Sequence, residues 1–364
     1  MVFQKLSNFR INMKFLHRCS LCVYWLLVTL SVGQLPVHAA RLEVLKFSSH
    51  ALKGNPLHDP DTRQVAVFIP SQYSSNEPLP IIYYLPGWGG SSERFIKDAE
   101  KWCTFTQKLA DEVTPVLLVV VDGRNRWGGS QYINSPAQGN YADYVCDEIV
   151  KEVESRFGVT PFKPQRIVAG HSSGGFGALR LGMFRPKLFD GVVALSPDSD
   201  FPTSHLRFVQ APAVSNLTLA QVKAFAATDN AQPMPKDGDL RYALGLSAAY
   251  APRGWWHRGE FEWPYDGHGH FREKVWQKWL DNDPLTIVER KHSAFLPRQT
   301  VYLEGAALDE YQANVGARKI YEVMKKRSSS CVFYEPPGHH SDHVAERLER
   351  GGAWSFGRPV KDIK

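Results

Sequence analysis

The sequence is poor in cysteine and has no acidic residue before Glu43. Only five of its 364 residues are Cys, which excludes a disulfide-dense scaffold. It contains no internal repeat or low-complexity tract, so a solenoid or a disordered chain is also excluded. No apolar run reaches the roughly 18 residues of a confident membrane span. What remains, 43% hydrophobic and 22% charged residues, is typical of a globular protein.

The acid-free N-terminus predicts a secretory signal peptide covering residues 1–40. Basic residues come first, an apolar run follows at residues 21–32, and Val37 and Ala39 offer small side chains for cleavage. We therefore expect a secreted or periplasmic protein that meets a membrane only transiently, during export. An uncleaved anchor is the alternative. The basic residues of this segment are Lys5, Arg10, Lys14 and Arg18.

The alkaline character of the chain derives partly from this leader. Without its four positive charges the formal net charge falls from +6 to +2. Net charge therefore gives no argument for nucleic acid as a partner.

Three cysteines remain beyond the leader: Cys103, Cys146 and Cys331. Export makes a disulfide possible, and an odd number allows at most one pair within the chain. Cys103 and Cys146 both fall on predicted helices near the front half of the sheet, so we expect that pair. Three free thiols are the alternative.

Alternating strand and helix patterns predict an α/β fold with a mostly parallel, doubly wound sheet and helices on both faces. Residues 81–85 and 116–121 are continuous apolar runs, as in strands that are covered on both sides. Residues 141–157 carry an apolar stripe with helical spacing. Ligands of such sheets bind at the carboxyl ends of the strands, where the glycine-rich loops of this chain lie.

The alternation breaks between residues 201 and 297 and resumes afterwards. We interpret this segment as an insertion over the active site within a single domain, residues 41–364. It is rich in aromatic residues that could stack on substrate rings, although such residues more often form a core of their own. They are Trp255, Trp256, Phe261, Trp263, Tyr265, Phe271, Trp276 and Trp279.

The stretch from Gly170 to Gly174, GHSSG, lies between an apolar strand pattern and a helix pattern. G-x-S-x-G in that setting predicts a nucleophile elbow with Ser172 as the nucleophile. The turn is so tight that side chains two residues before and two after the serine would clash, which explains the glycines. Ser173 is excluded as the nucleophile because that register puts His171 at a glycine position.

A serine nucleophile needs a base and an orienting acid, in the chain order Ser, acid, His. The loop after the strand at residues 300–304 offers Asp309, with Glu310 beside it. The loop after the last strand offers His339, His340 and His343. We predict Asp309 as the acid and His340 as the base, with His339 as the alternative base. We place His343 about a turn into the final helix.

The oxyanion hole requires two N–H groups. We predict those of Ser173, directly after the nucleophile, and Trp88, in the loop after residues 81–85. Arg124 and Arg126 follow a strand and are possible contacts for an anionic part of the substrate. His171, beside Ser172, is a further possible substrate-binding residue. The histidines near residue 340 lack the order of a binuclear metal site, so we expect no metal and no cofactor.

Several motifs together resemble the esterase family of α/β-hydrolases that includes S-formylglutathione hydrolase, feruloyl esterases and the antigen 85 mycolyltransferases. They are VFIP from Val67, LPGWGG from Leu85, VVVDG from Val119, GHSSGG from Gly170 and GHH from Gly338. The resemblance covers roughly residues 41–350 and implies the α/β-hydrolase fold. It also implies Ser172, Asp309 and His340 as the triad, with Trp88 and Ser173 as oxyanion donors. Pro86-Gly87 replaces the usual His-Gly, and Gly338-His339-His340 replaces the usual Gly-Gly-His.

The sequence therefore predicts a secreted serine hydrolase that cleaves carboxylic esters of small-molecule or glycan-linked substrates. One alternative is acyl transfer of the mycolyltransferase type, with a sugar or glycerol hydroxyl as the acceptor. The other is a non-catalytic binding protein on an esterase scaffold. The acyl group, the alcohol and the oligomeric state cannot be derived from the sequence.

Overall fold

A computed structural model describes residues 39–158, 164–227, 235–291, 295, 297–327 and 330–358. From Ala40 onward the chain forms one compact unit. The predicted signal peptide lies outside the described residues except for its last two positions. No helix in the described ranges is long and apolar enough to cross a membrane.

Eight strands form one sheet in the order β1-β2-β4-β3-β7-β8-β9-β10. Strand β2 runs antiparallel to both of its neighbours, and every other neighbouring pair is parallel, so the predicted mostly parallel sheet is confirmed. A separate two-stranded hairpin is formed by β5 and β6. The strands are β1 Arg41–Ser48, β2 Thr62–Ile69, β3 Ile81–Leu85, β4 Leu117–Val120, β5 Asn134–Ser135, β6 Gly139–Asn140, β7 Arg166–His171, β8 Gly191–Leu195, β9 Thr300–Glu304 and β10 Cys331–Tyr334.

Helices alternate with the parallel strands and also fill the segment between β8 and β9. The helix predicted at residues 141–157 is present as α3, and its middle segment, Tyr144–Ile149, is π-helical. The helices are α1 Ser92–Lys97, α2 Ala99–Glu112, α3 in the segments Tyr141–Asp143, Tyr144–Ile149 and Val150–Phe157, α4 Ser173–Phe184, α5 Phe201–Ser204, α6 Leu206–Val209, α7 Pro212–Ser215, α8 Leu219–Ala226, α9 Gly238–Tyr250, α10 Glu273–Leu280, α11 Pro284–Arg290, α12 Ala313–Lys325 and α13 Val344–Ser355, with a 3-10 turn at Trp255–His257.

Two apolar layers cover the two faces of the sheet. On β2, Val65 and Val67 belong to one layer and Ala66 and Phe68 to the other, because side chains alternate along a strand. Helices α3, α4 and α12 contribute to the first layer, and α1, α2 and α13 to the second. Burial on both faces explains why the central strands are continuous apolar runs.

The segment predicted as an insertion supplies most of a third apolar cluster, to which Trp127 and Phe176 from earlier in the chain also belong. Trp263 and Trp279 are fully buried in it, whereas Trp256 is 98% exposed. The aromatic residues singled out from the sequence thus mostly form the core of this segment, and none of them lines the cavity at Ser172.

The cysteines correct one expectation. Cys103, Cys146 and Cys331 are all free thiols, so the expected Cys103–Cys146 disulfide is absent. The reason lies in the layers: Cys146 is buried in the layer of α3, and Cys103 packs against the layer on the opposite face of the sheet.

Candidate active site

Ser172 occupies the turn between β7 and α4. Its backbone has φ +58° and ψ −124°, a combination that non-glycine residues rarely adopt. Such a conformation costs about 1–3 kcal/mol and persists only where the surroundings enforce it. Hydrogen bonds from Ser172 N–H to Leu195 O (2.9 Å) and from Asp198 N–H to Ser172 O (3.3 Å) tie this turn to the end of β8.

The glycines of the motif are required by contact between backbones. A Cβ on Gly170 would overlap the carbonyl of Gly174, and a Cβ on Gly174 would overlap the carbonyl of Leu85. The turn therefore closes on itself and rests against the end of β3. This close approach lifts Ser172 above the edge of the sheet and brings the loop after β3 beside it.

His340 and Asp309 are hydrogen-bonded to each other. Nδ1 of His340 lies 2.8 Å from Oδ2 of Asp309, and both side chains are almost completely buried. Asp309 follows β9 and His340 follows β10, so two neighbouring parallel strands deliver them to the same edge of the sheet. Burial alone would raise the pKa of Asp309, but the hydrogen bond and charge of His340 outweigh it and the pKa is lowered.

The carboxylate fixes the orientation of the imidazole. Because an ionised Asp309 only accepts, Nδ1 of His340 is the donor and Nε2 remains free to accept a proton. His340 and Ser172 line the same cavity. Their side chains are not hydrogen-bonded to each other in this structure, and such bonds often form only once a substrate is in place.

The neighbouring candidates occupy different positions. The side chain of His339 is 63% exposed, and its backbone N–H donates to Asp342. Glu310 accepts the backbone N–H of His340 at 3.0 Å. The sequence placed His343 about a turn into the final helix, and this prediction is wrong. His343 is the N-cap of α13, with a φ of +52°. Of the three histidines, only His340 pairs with Asp309.

The carbonyl of His340 is held from two sides. Nε2 of His171 lies 2.8 Å from it and donates, and Nη1 of Arg347 donates to it at 2.9 Å. Burial, together with the charges of His340 and Arg347, lowers the pKa of His171 to about 3, so its ring is neutral. His171 thus contacts the loop that carries His340, besides lining the cavity.

Arg347 links this loop to the rest of the site. Its Nε donates to Glu304 at 2.8 Å and its Nη2 to Ser196 at 2.7 Å, and the arginine and glutamate side chains are buried. Ser196 in turn helps to lower the pKa of Asp309. One buried guanidinium therefore connects the backbone of His340 with a serine that influences Asp309.

The loop after β3 approaches the nucleophile closely. A Cβ on Gly87 would lie 3.1 Å from the carbonyl of His171 and 3.1 Å from Cβ of Ser172. Trp88 follows, and its indole is packed edge-on against Tyr242 with ring centroids 4.7 Å apart. Ser173 is the first residue of α4, where backbone N–H groups have no partner within the helix. Both predicted oxyanion donors thus belong to backbone segments next to Ser172.

A cavity of about 620 Å³ opens above Ser172. One part of its wall comes from the loop after β3 and from α1 and α2, and a second part comes from the segment between β8 and β9. The second part is partly aromatic and partly polar. Its residues are Asp198, Ser204, His205, Phe208, Asp239, Arg241 and Tyr242.

Arg124 and Arg126 lie outside this cavity. They line a second, polar cavity of about 580 Å³, which shares only Trp88 and Arg241 with the first. Arg126 donates to the carbonyl of Ala227, and Arg124 lies 3.9 Å from Glu93. The structure therefore does not bring these arginines to Ser172.

Comparison with known proteins gives the family of the chain. The family model described as "Putative esterase" matches residues 60–347. The chain belongs to this family. Among curated proteins, S-formylglutathione hydrolase of Mus musculus is 27% identical over 146 residues, which are 36% of this chain and 50% of that protein. The chain thus spans about half the length of this curated relative.

Solved structures show the fold. An S-formylglutathione hydrolase of Agrobacterium tumefaciens superposes with a TM-score of 0.57 at 15% identity, covering 88% of this chain and 96% of the other. The fluorophosphonate-binding serine hydrolase F of Staphylococcus aureus gives 0.53 at 14%, covering 88% and 100%. The expected α/β-hydrolase fold is confirmed.

Sequence reasoning missed the buried polar residues around the predicted triad. Glu304 ends an otherwise apolar strand, and a charge at such a position signals a buried partner. Its partner, Arg347, lies 43 positions further along the chain, and nothing in a single sequence connects the two.

Replacing Arg347 tests the network behind His340. Arg347→Met leaves the Glu304 carboxylate buried without its main partner, so we expect the free energy of unfolding to fall by about 3–5 kcal/mol. Urea unfolding followed by circular dichroism measures this change. Arg350→Met is the matched control, because Arg350 reaches the same carboxylate only at 3.3 Å. Equal losses in the two variants would contradict the central place given to Arg347.

Proposed function

We propose that the protein is a secreted serine hydrolase that cleaves carboxylic esters through an acyl-enzyme. The observation that carries the proposal is the 2.8 Å hydrogen bond between His340 Nδ1 and Asp309 Oδ2 at the cavity that Ser172 lines. Membership of the esterase family supports it. The names of the relatives, S-formylglutathione hydrolase and fluorophosphonate-binding serine hydrolase, point the same way.

The reaction begins when the Ser172 hydroxyl attacks the ester carbonyl. Nε2 of His340 takes the hydroxyl proton, and Asp309 stabilises the imidazolium that forms. The N–H groups of Trp88 and Ser173 stabilise the negative charge on the tetrahedral intermediate. The imidazolium then protonates the departing alcohol. Water, deprotonated by the same imidazole, releases the acid and restores Ser172.

A fluorophosphonate probe reports directly on this machinery. We expect wild type to be labelled, Ser172→Ala to remain unlabelled, and His340→Ala to react at least about 10³-fold more slowly. Asp309→Asn should slow labelling by about 10²- to 10⁴-fold, because the amide no longer selects the productive tautomer. In-gel fluorescence against time gives the rates.

His339→Ala is the matched control for the base. Its exposed ring does not contact Asp309, so its labelling rate should stay within about threefold of wild type. A His339→Ala variant as slow as His340→Ala would reassign the base. Folded wild-type protein that takes no label would refute the hydrolase and favour a binding protein on this scaffold.

Hydrolysis and acyl transfer differ in the second step alone. We expect water to be the main acceptor, so that free acid remains the dominant product when glycerol or glucose is added to a simple aryl ester. Chromatography of the products separates acid from new ester. Predominant ester formation at modest acceptor concentration would replace the hydrolase with a transferase of the mycolyltransferase type.

Secretion rests on the basic and apolar pattern of residues 1–40. We expect the chain expressed in an exporting host to be recovered outside the cytoplasm with a mature N-terminus near residue 41. Intact mass and N-terminal sequencing measure this. A full-length chain retained in the membrane fraction would instead indicate an uncleaved anchor.

A further inference from the structure

Asp198 lies beside the nucleophile and has no part in the proposed mechanism. It follows β8, and its backbone N–H donates to the carbonyl of Ser172 at 3.3 Å. Its side chain is only 9% exposed, yet the residue lines the catalytic cavity. A carboxylate this deeply buried is uncommon unless its oxygens are satisfied by partners.

One carboxylate oxygen takes every hydrogen bond that Asp198 receives from the described residues. Oδ2 accepts from Ser173 Oγ at 2.7 Å, from Tyr242 Oη at 2.9 Å and from Gln131 Nε2 at 3.3 Å. No donor of the described part of the chain reaches Oδ1. Oδ1 is nevertheless not fully enclosed, and Asp198 lines the cavity.

The groups around Asp198 are neutral. His205 lies 4.0 Å from Oδ2 and is completely buried, and burial lowers the pKa of its imidazole to about 4. The hydroxyl of Tyr242 lies between the two, 3.4 Å from Nε2 of His205. Among the described residues, those that contact the carboxylate are thus uncharged, and none of them pairs its negative charge with a cation.

We propose that Oδ1 of Asp198 binds a hydrogen-bond donor of the substrate, a hydroxyl or an ammonium group, and thereby selects donor-bearing esters. This inference rests on the proposed ester hydrolysis and names the substrate class of that same site. The three donors on Oδ2 hold the carboxylate in one orientation, so Oδ1 is an acceptor that is ready before the substrate arrives. An ester that carries a methoxyl group at this position has no proton to donate. Its ether oxygen and Oδ1 of Asp198 would then be two acceptors that face each other.

The rest of the wall fits such a group. The rings of Phe208 and Tyr242 meet edge to face with centroids 5.2 Å apart, and both line the cavity with Asp198. A substrate chain can therefore pack its carbon atoms on these rings while its donor reaches the carboxylate. Sites built to bind a buried hydroxyl discriminate strongly against analogues that lack it, because their own polar group is then left unpaired.

The test compares 4-nitrophenyl esters whose acyl chains end in a hydroxyl, ammonium, methoxyl or methyl group. A second series places the same end groups on the alcohol part of simple acetates. In one of the two series we expect kcat/KM for a donor-bearing ester to exceed that for its methoxyl analogue by about tenfold or more. The hydroxyl and ammonium members distinguish a neutral from a cationic substrate.

Asp198→Asn gives the sharpest readout. The three donors on Oδ2 should hold the amide oxygen in that place, which turns the amide NH₂ into the cavity. An acceptor thus becomes a donor, and we expect the hydroxyl-to-methoxyl ratio of kcat/KM to fall to about one or to invert. Tyr242→Phe is the matched control, since it removes a donor from Oδ2 but leaves Oδ1 in place, and should keep the preference.

Two results would overturn the proposal. One is the absence of any preference for a donor in both series of wild-type measurements, and the other is an unchanged ratio in Asp198→Asn. Ser172-dependent hydrolysis of the methyl-terminated esters keeps these failures separate from a failure of the proposed function. If that hydrolysis persists without donor preference, only the role of Asp198 falls.

Discussion

Direct contact between two backbones at the carboxyl edge of the sheet is the constraint on which the site depends. The turn that carries Ser172 rests against the end of β3, and no side chain fits between Gly174 and the carbonyl of Leu85. This contact sets the position of Ser172 and of the loop with Trp88 together, so the proposed nucleophile and the proposed oxyanion donors need not be aligned separately. The strained φ of Ser172 persists because the backbone bonds to β8 and the packing at Gly174 leave the turn no alternative.

A second constraint is the set of hydrogen bonds that hold the loop of His340. His340 lies in a loop, and loops are usually more mobile than the elements they connect. Here the backbone of that loop is bonded to His171, Glu310 and Arg347, and Arg347 is held by a carboxylate at the end of β9. The strand that precedes Asp309 therefore also anchors, through its last residue, the loop that bears His340. Burying Glu304 and Arg347 costs solvation, which their mutual hydrogen bonds offset only when both are present.

The sequence predicted the sheet and the Asp309–His340 pair well for a physical reason. Buried parallel strands are continuous apolar runs, and the loops at their carboxyl ends meet at one edge, so chain order brings the loop of Asp309 beside that of His340. Chain order does not distinguish His340 from His339, whereas the hydrogen bond to Asp309 does. The cysteine pairing failed because helical pattern does not tell which face of the sheet a helix covers. Arg124 follows a strand as predicted, but no pattern in the sequence indicates that it lines a different cavity from Ser172, with only Trp88 and Arg241 common to the two. The segment from residue 201 to 297 was hardest, since its short helices pack against residues far away in the sequence, such as Trp127 and Phe176.

The segment from residue 201 to 297 also supplies part of the wall of the cavity that Ser172 lines. The residues proposed to react follow the ends of strands, whereas another part of the cavity wall comes from α6, α9 and the residues just after β8. The sheet edge fixes positions through backbone hydrogen bonds. The second part of the wall is held by side-chain contacts, such as the hydrogen bond from Tyr242 to Asp198. Replacing one carboxylate oxygen of Asp198 by an amide nitrogen would turn a hydrogen-bond acceptor into a donor. If both proposals hold, reaction and selectivity rest on different kinds of interaction, and the second can change without disturbing the first.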